Sequence, residues 1–154
     1  MIEINTPYEI EKYYNKDKHG YIFNDDITIK CDLNAGTRNI YAENIKANNL
    51  TAHEIWCTDL ELRTLKAASI YCRDITCTEN IKIKKTFSAN NCICTYLESN
   101  FARLNSLEAT GVKATVLTCN AFIGNDLFVS RLTINETIHA HTIGKKSQSN
   151  FKIF

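Results

Sequence analysis

Two close pairs of side chains are the residues of this sequence that could bind a metal ion. His139 and His141 lie two residues apart, and Cys92 and Cys94 form a C-x-C motif. A structural zinc site takes four nitrogen or sulfur ligands, and a catalytic site takes three and a water molecule. The histidine pair has no third ligand at a suitable spacing. We therefore predict no metal and no other cofactor.

Four carboxylates form the other set that could do chemistry. Asp32, Glu54 and Asp74 follow one another at similar intervals, and Asp59 lies between the last two. Paired carboxylates can bind a cation or act as general acid and base. Neither a glycine-rich phosphate loop nor a nucleophile motif accompanies them, and the chain has only five glycines. Their chemistry therefore depends on whether the fold brings them together.

Composition limits the fold that can position these residues. The 154 residues are 44% hydrophobic and 23% charged, with a formal net charge of +1, which is enough for one hydrophobic core. No apolar run approaches the ~20 residues of a membrane span, and the first residues lack the basic and apolar stretches of a signal peptide. The sequence predicts one globular domain in the cytoplasm, with its seven cysteines as free thiols.

A bulky residue at every fifth position organises most of the chain. The stretch NIYAENIKANNLTAHEI, residues 39–55, places Ile40, Ile45, Leu50 and Ile55 at this interval. Neither a helix, with 3.6 residues a turn, nor a strand, with a repeat of two, has this period. The same spacing continues at Ile27, Leu33, Leu60, Leu65, Ile70, Ile75, Ile81, Phe87, Cys92, Leu97, Ala102, Leu107, Val112, Leu117, Phe122, Leu127, Leu132, Ile138 and Ile143.

A second position lies two residues after each bulky one and is usually small, as at Ala42, Ala47 and Cys57. Because a spacing of two is the alternation of a strand, each pentad predicts a three-residue strand whose ends face the core. The other two residues turn a corner. The spacing slips near Cys31, residues 37–38, Glu79, Lys85 and Glu136, where corners can absorb the insertions. We predict an all-β fold, a solenoid of short parallel strands.

The largest residues at the second inward position predict the number of sides. Leu62, Ile83 and Leu104 recur after four pentads, which indicates four sides and about six coils if each layer keeps a constant volume. This count places Cys57, Cys77 and Cys119 in one interior column and Cys72 and Cys94 in another, as small apolar residues. It also places the outward-facing Tyr41, Trp56 and Tyr71 on different sides.

The repeat resembles that of the pentapeptide-repeat family, most closely its phage-type N-I-x-A-x variants, in the segments NIYAE and NIKAN. The resemblance covers about residues 26–144. It implies a right-handed, four-sided parallel β-helix. The order of inward residues differs from the usual one of the family, because here the small residue follows the bulky one by two positions.

Both ends of a solenoid need caps because they expose strand edges and core. The segment Thr6-Pro7-Tyr8-Glu9 reads as a capping box before a short amphipathic helix from about Tyr8 to Asn15. We predict an N-terminal cap over residues 1–25, with a strand, a short helix and an entry strand, and the solenoid over residues 26–144. A tail over residues 145–154 either covers the last coil or pairs with another subunit.

Corner residues change character along a four-sided rod. In the four-sided count, Asp32, Glu54 and Asp74 stack on one corner of successive coils, and Asp59 lies on the neighbouring corner. Apolar residues take over at both corners further along the chain. We predict an acidic edge that could bind a partner, formed by Asp32, Glu54, Asp59 and Asp74. We also predict an exposed apolar strip on the C-terminal coils that forms an interface, formed by Tyr96, Phe101, Val116, Ala121, Ile123 and Phe128.

These surfaces predict a non-enzymatic protein-interaction module with a protein partner and a homodimer through the C-terminal coils. No direct contact with nucleic acid or membrane is expected. The resemblance to phage-type repeats implies a phage or mobile-element origin. It suggests inhibition of a host nucleic-acid enzyme or defence complex, of the anti-CRISPR, anti-restriction or topoisomerase-inhibitor type. Two alternatives stay open: a self-assembling structural β-solenoid, and a carbohydrate-active β-helix enzyme that uses the acidic corner.

Overall fold

The computed structural model describes residues 1–145, which form mostly parallel strands wound into a solenoid of about eight coils. Most strands are short, and the longest continues around several coils. The predicted all-β parallel β-solenoid is confirmed. The strands are β1 (Ile2–Ile4), β2 (Tyr14–Asn15), β3 (Gly20–Ile22), β4 (Ile27–Ile29), β5 (Leu33–Asn34), β6 (Asn39–Tyr41), β7 (Asn44–Ala47), β8 (Asn49–Trp56), β9 (Asp59–Leu62), β10 (Thr64–Tyr71), β11 (Asp74–His139) and β12 (Thr142–Lys145).

Strand pairing shows that one coil has three sides, each formed by one pentad. Ile40 pairs with Ile55, Ile45 with Leu60, and Leu50 with Leu65. Each partner is three pentads further along the chain, so the prediction of four sides is wrong. The same pentads divided into coils of three rather than four give about eight coils instead of about six.

The sides are defined by the strands that stack on them. Side 1 carries β1, β4, β7, β9 and residues 75–77 of β11. Side 2 carries β5, the first halves of β8 and β10, residues 81–83 and β12. Side 3 carries β3, β6, the second halves of β8 and β10, and residues 87–88. We call the corners between them the 1–2, 2–3 and 3–1 edges, and we call residues at one position of successive coils a column.

Size complementarity between neighbouring coils explains why the four-sided count fails. Leu62 lies on side 1 against Cys77, and Ile83 lies on side 2 against Ala67. Leu104 belongs to side 3, three pentads after the strand that contains Phe87. A large second residue is therefore accommodated by a small one in the next coil of its own column, as close packing requires. The three large residues mark three different sides rather than one.

Insertions fall at the edges, as the sequence predicts. Leu65 pairs with Ile81, one residue further along the chain than three pentads would place its partner, and Ile70 pairs with Phe87, two further. The extra residues are those around Glu79 and Lys85. At another insertion Gly36 has a φ of 62°, a left-handed conformation that a residue without a side chain adopts readily.

The inward positions form one continuous core. The bulky residues from Ile27 to Leu132 are buried, with Phe87 and Phe122 completely inaccessible. On the last described coil Ile143 is 42% exposed. The predicted tail beyond Lys145 lies outside the described residues.

The predicted helix from Tyr8 to Asn15 is instead a 3₁₀ turn over Glu9–Tyr13. No side-chain hydrogen bond from Thr6 caps it; the Asn5 N–H donates to the Glu9 carboxylate at 2.7 Å. The turn is confined between β1 and β2, because β1 already pairs with β4 on side 1 and β2 pairs antiparallel with β3. Within residues 1–145 we find no helix with the length and apolar character to cross a bilayer.

Candidate interaction surfaces

The four predicted acidic residues lie on three different edges. Asp59 and Asp74 are neighbours on the 3–1 edge, paired in register. Asp32 lies on the 1–2 edge and accepts a hydrogen bond from Asn49 at 2.7 Å. Glu54 lies on the 2–3 edge and accepts one from the Trp56 indole at 3.3 Å. The predicted column of Asp32, Glu54 and Asp74 is wrong, because a coil of three pentads separates positions that a coil of four would align.

Arg73 bridges the two carboxylates that do meet. Its guanidinium lies 2.8 Å from Asp59 Oδ2 and 3.0 Å from Asp74 Oδ2. The hydrogen bond to Asp74, with the charge of Asp59, raises the pKa of Arg73. Asn91 also donates to Asp74 at 2.7 Å. This part of the 3–1 edge is a linked charge network, and its two carboxylates share one cation.

The six predicted interface residues are distributed around the rod and do not form one strip. Phe101 and Val116 occupy successive coils of the 2–3 edge, since they are three pentads apart. Tyr96 lies on the 1–2 edge, Ala121 on the 3–1 edge, Ile123 on side 1 and Phe128 on side 2. Phe101, Ile123 and Phe128 are exposed, whereas Tyr96, Val116 and Ala121 are half-buried. The predicted single strip is therefore wrong as a geometric arrangement, again because of the number of sides.

Two of these aromatic residues lean over glycines of the next coil. A Cβ on Gly111 would lie 2.9 Å from Cδ2 of Tyr96, and one on Gly144 would lie 2.6 Å from Cδ1 of Phe128. Each ring thus occupies space that a side chain would otherwise fill. Part of the apolar surface of Tyr96 and of Phe128 therefore packs against the next coil of the chain itself.

A shallow groove of about 640 Å³ lies on side 1 in the C-terminal half. Its ridge is the outward column of Ile93, Glu108, Ile123 and His139, and its floor is the small-residue column that includes Ala109 and Gly124. Ile93 and Ile123 are 50% and 51% exposed. Gly124 is required at the floor because a Cβ there would collide with the backbone oxygen of Ala109. Ile123, a predicted interface residue, therefore belongs to a groove that also contains Ile93.

Tyr41, Trp56 and Tyr71 form one aromatic column on side 3. Tyr41 pairs in register with Trp56, and Trp56 with Tyr71. The rings of Trp56 and Tyr71 stack with their centroids 4.0 Å apart and an interplanar angle of 22°. Trp56 is 42% exposed. The prediction that the three lie on different sides is wrong; their spacing of three pentads is the signal that a three-sided count would have used.

The cysteines are buried or half-buried, and all seven are free thiols. Cys57 and Cys72 are neighbours on side 3, and the hydrogen bond with Cys57 raises the pKa of Cys72 far above its usual value. This pairing replaces the predicted columns, in which the two thiols are apart. Cys92 and Cys94 both face the core, with their sulfurs 4.0 Å apart.

His139 and His141 line the C-terminal end of the groove on side 1. Within residues 1–145 we find no group of three or more His, Cys, Asp or Glu side chains arranged to hold a metal ion.

Stacked coils, a core of repeated inward residues and solvent-facing columns define the class of this protein as a parallel β-solenoid. No protein-family model, no curated protein and no solved structure matches the chain.

Proposed function

We propose that the chain is a non-enzymatic protein-binding module whose contact surface is centred on the aromatic column of side 3. The observation that carries this proposal is the alignment of Tyr41, Trp56 and Tyr71 in three successive coils. Trp and Tyr are the residues most enriched where protein interfaces concentrate their binding energy. Three of them on one flat side provide such a centre on a rigid scaffold.

Ring orientation favours a protein partner over a sugar or a nucleic acid. Sugars and unpaired bases stack on the open face of an aromatic ring. Trp56 and Tyr71 cover one face of each other at 4.0 Å, so one face of each ring is not open to a sugar or a base. A protein surface can pack apolar side chains against the rest of the aromatic surface, and the Tyr hydroxyls can take part in hydrogen bonds.

The particular partner that we propose is a nucleic-acid enzyme or defence complex of a bacterial host, which the module inhibits by occupying its surface. Support for this comes from the resemblance of NIYAE and NIKAN to phage-type repeats. A strongly acidic DNA-mimicking surface is not part of the proposal, since the net charge is +1 and Asp59 and Asp74 share Arg73.

Affinity capture from a bacterial lysate with quantitative mass spectrometry tests this function. The baits are the natural chain, the double variant Trp56→Ala/Tyr71→Ala, and a matched control, Thr118→Ala/Thr133→Ala, on the same side in later coils. We expect a nucleic-acid-processing or defence protein to be enriched by the natural chain and the control and lost with the aromatic variant. Retention of every captured protein by the aromatic variant would overturn side 3 as the contact surface. The absence of any specifically captured protein would overturn the function.

Self-association through the groove on side 1 is a second candidate, favoured by the exposure of Ile93 and Ile123 in one column. Light scattering of Ile123→Asp and Phe101→Asp tests this candidate. Ile123 lies in the groove, whereas Phe101 is an exposed apolar residue outside it, on the 2–3 edge. We expect a homodimer that Ile123→Asp converts to a monomer and Phe101→Asp leaves unchanged. A natural chain that is monomeric at high concentration contradicts this candidate.

A further inference from the structure

The cations of the rod fall into two groups. Between residues 30 and 82, most Lys and Arg side chains form an ion pair with a carboxylate elsewhere in the chain. The ion pairs are Lys30–Glu3, Arg38–Glu11, Lys46–Glu61, Arg63–Glu79, Arg73–Asp59 and Lys82–Glu98. Surface cations of this region thus have much of their charge compensated inside the chain.

The second group lies in the C-terminal half and lacks such compensation. Lys84, Lys85, Arg103 and Arg131 are exposed, and within residues 1–145 none of them forms an ion pair. The acidic residues of this half are elsewhere: Glu108 is on side 1, and Asp126 and Glu136 are on the other two edges. Glu98 on side 2 lies 3.1 Å from Lys82 and 3.9 Å from Lys113. Positive charge is therefore concentrated on the 2–3 edge and side 3.

The coil geometry brings these cations around one exposed aromatic residue. Lys84 and Lys85 turn the 2–3 edge one coil before Phe101, as the hydrogen bond from Asn100 to the Lys84 carbonyl at 2.6 Å shows. Arg131 lies on the same edge two coils after Phe101, and Arg103 follows Phe101 on side 3. At roughly 4.8 Å per coil the cations span about 14 Å along the rod. Phe101, 55% exposed, lies between them. We call Lys84, Lys85, Phe101, Arg103 and Arg131 the basic edge.

We propose that the basic edge binds a short acidic segment of a protein partner, with an apolar side chain of that segment packed on Phe101. This inference rests on the proposed protein-binding function and specifies the chemistry of the partner. Four uncompensated cations complement several carboxylates, and electrostatic complementarity of this kind orients a partner and speeds its association. Their span corresponds to about four residues of extended peptide, at roughly 3.3 Å each.

A protein segment fits this surface better than a nucleic acid does. Nucleic-acid binding uses cations that follow the phosphate backbone over many nucleotides. The basic edge has only four, and Glu54 occupies the 2–3 edge three coils before Phe101. A long polyanion that continued along the rod would meet this carboxylate and the acidic residues of the N-terminal coils. A short acidic segment ends before reaching them.

Fluorescence anisotropy with a synthetic probe tests the proposal on the full chain. The probe is a short fluorescein-labelled peptide rich in Glu with one central Phe, and an oligothymidylate of equal charge is the comparison. The patch variant is Lys84→Gln/Lys85→Gln/Arg131→Gln. The matched control, Lys30→Gln/Lys46→Gln/Arg63→Gln, removes the same charge from ion-paired positions. Circular dichroism verifies that each variant is folded.

We expect the peptide to bind the natural chain and the control alike and to bind the patch variant about tenfold more weakly, with an affinity that falls with salt. Phe101→Ala in the natural chain should also weaken peptide binding, without changing the salt dependence of the affinity. Equal losses in patch and control variants would show a nonspecific charge effect and overturn the proposal. Tighter binding of the oligothymidylate, lost in the patch variant, would overturn it in favour of nucleic acid. If the peptide does not bind but the affinity capture succeeds, the protein-binding function stands and only the acidic segment is ruled out.

Discussion

At the scale of single residues, burial determines how the thiols react. Burial raises the pKa of both Cys77 and Cys119 to about 11. The hydrogen bond with Cys94, followed by burial, raises the pKa of Cys92. Since the thiolate is the reactive form, these groups should be inert to alkylating and disulfide reagents near neutral pH. Packing rather than redox chemistry accounts for the abundance of cysteine at the small inward positions.

A thiol titration follows from this burial. In the native protein near pH 8 we expect Cys77, Cys92, Cys94 and Cys119 not to react with an aromatic disulfide reagent, and all seven cysteines to react after denaturation. Mass spectrometry of the alkylated native protein identifies which sites are modified. A titre of five or fewer in denatured, non-oxidised protein would contradict free thiols, and rapid native labelling of Cys119 would contradict the packing.

A second residue-scale prediction concerns Glu11. Hydrogen bonds from Tyr21 and then Arg38 lower the pKa of this carboxyl below its usual value. A lowered folded-state pKa contributes stability that is present above the unfolded pKa, near 4.5, and is lost as pH falls through the folded value. We expect Glu11→Gln to lower Tm near pH 6 and to lower it less at an acid pH below the folded-state pKa, where the natural carboxyl is itself protonated. Glu108→Gln, on side 1, is the control, and an equal Tm difference at both pH values would contradict the prediction.

At the scale of elements, each side depends on small residues where two coils approach closely. The floor of the groove on side 1 is one such place, because Gly124 leaves room for the backbone oxygen of Ala109. The edge at Gly111 is another, but there the neighbour is the side chain of Tyr96. Backbone cannot move without disturbing its strand pairing, whereas a ring at the surface can turn.

This difference predicts unequal costs for the same substitution. Gly124→Ala should lower the free energy of unfolding by about 1–3 kcal/mol through overpacking, and Gly111→Ala should cost clearly less. Chemical denaturation of the two variants measures the difference, with the denaturant slope unchanged. A smaller effect at Gly124 than at Gly111 would show that the coils around Gly124 are not in close backbone contact.

At the scale of the whole molecule, a solenoid is held together by contacts between successive coils. Contacts between distant coils are absent from such a design, so stability is close to a sum of neighbouring interactions. The sole tryptophan, Trp56, reports on the N-terminal half, where it stacks on Tyr71. Phe122, completely buried, belongs to a coil near the C-terminal end of the described residues.

Phe122→Ala should therefore separate the unfolding of the two halves. The cavity costs about 3–5 kcal/mol, and we expect it to unfold the C-terminal coils first. Far-ultraviolet circular dichroism should then report an earlier transition than Trp56 fluorescence in this variant. Phe87→Ala, in the middle of the rod, provides the comparison. Coincident transitions by both probes in Phe122→Ala would show that the rod unfolds as one unit.

Residue types alone predicted which side chains face the core and which face solvent. Ile40, Ile45, Leu50 and Ile55 were predicted to face the core, and all four are buried. The edge insertions near Glu79 and Lys85 were also predicted and appear in the pairing of β10 with β11. These features are local, because the alternation within a three-residue strand and the tolerance of a corner depend only on neighbouring residues.

Which residues become neighbours across coils was decided by the tertiary structure. A period of five fits a coil of three sides or of four, and the choice depends on how Leu62 packs against Cys77 and Ile83 against Ala67. That choice separates Asp32 and Glu54 from Asp74, disperses the predicted apolar strip, and aligns Tyr41, Trp56 and Tyr71 on one side. The sequence determined the period of the solenoid, whereas its surfaces were decided by packing between coils, because a column joins residues that are distant along the chain.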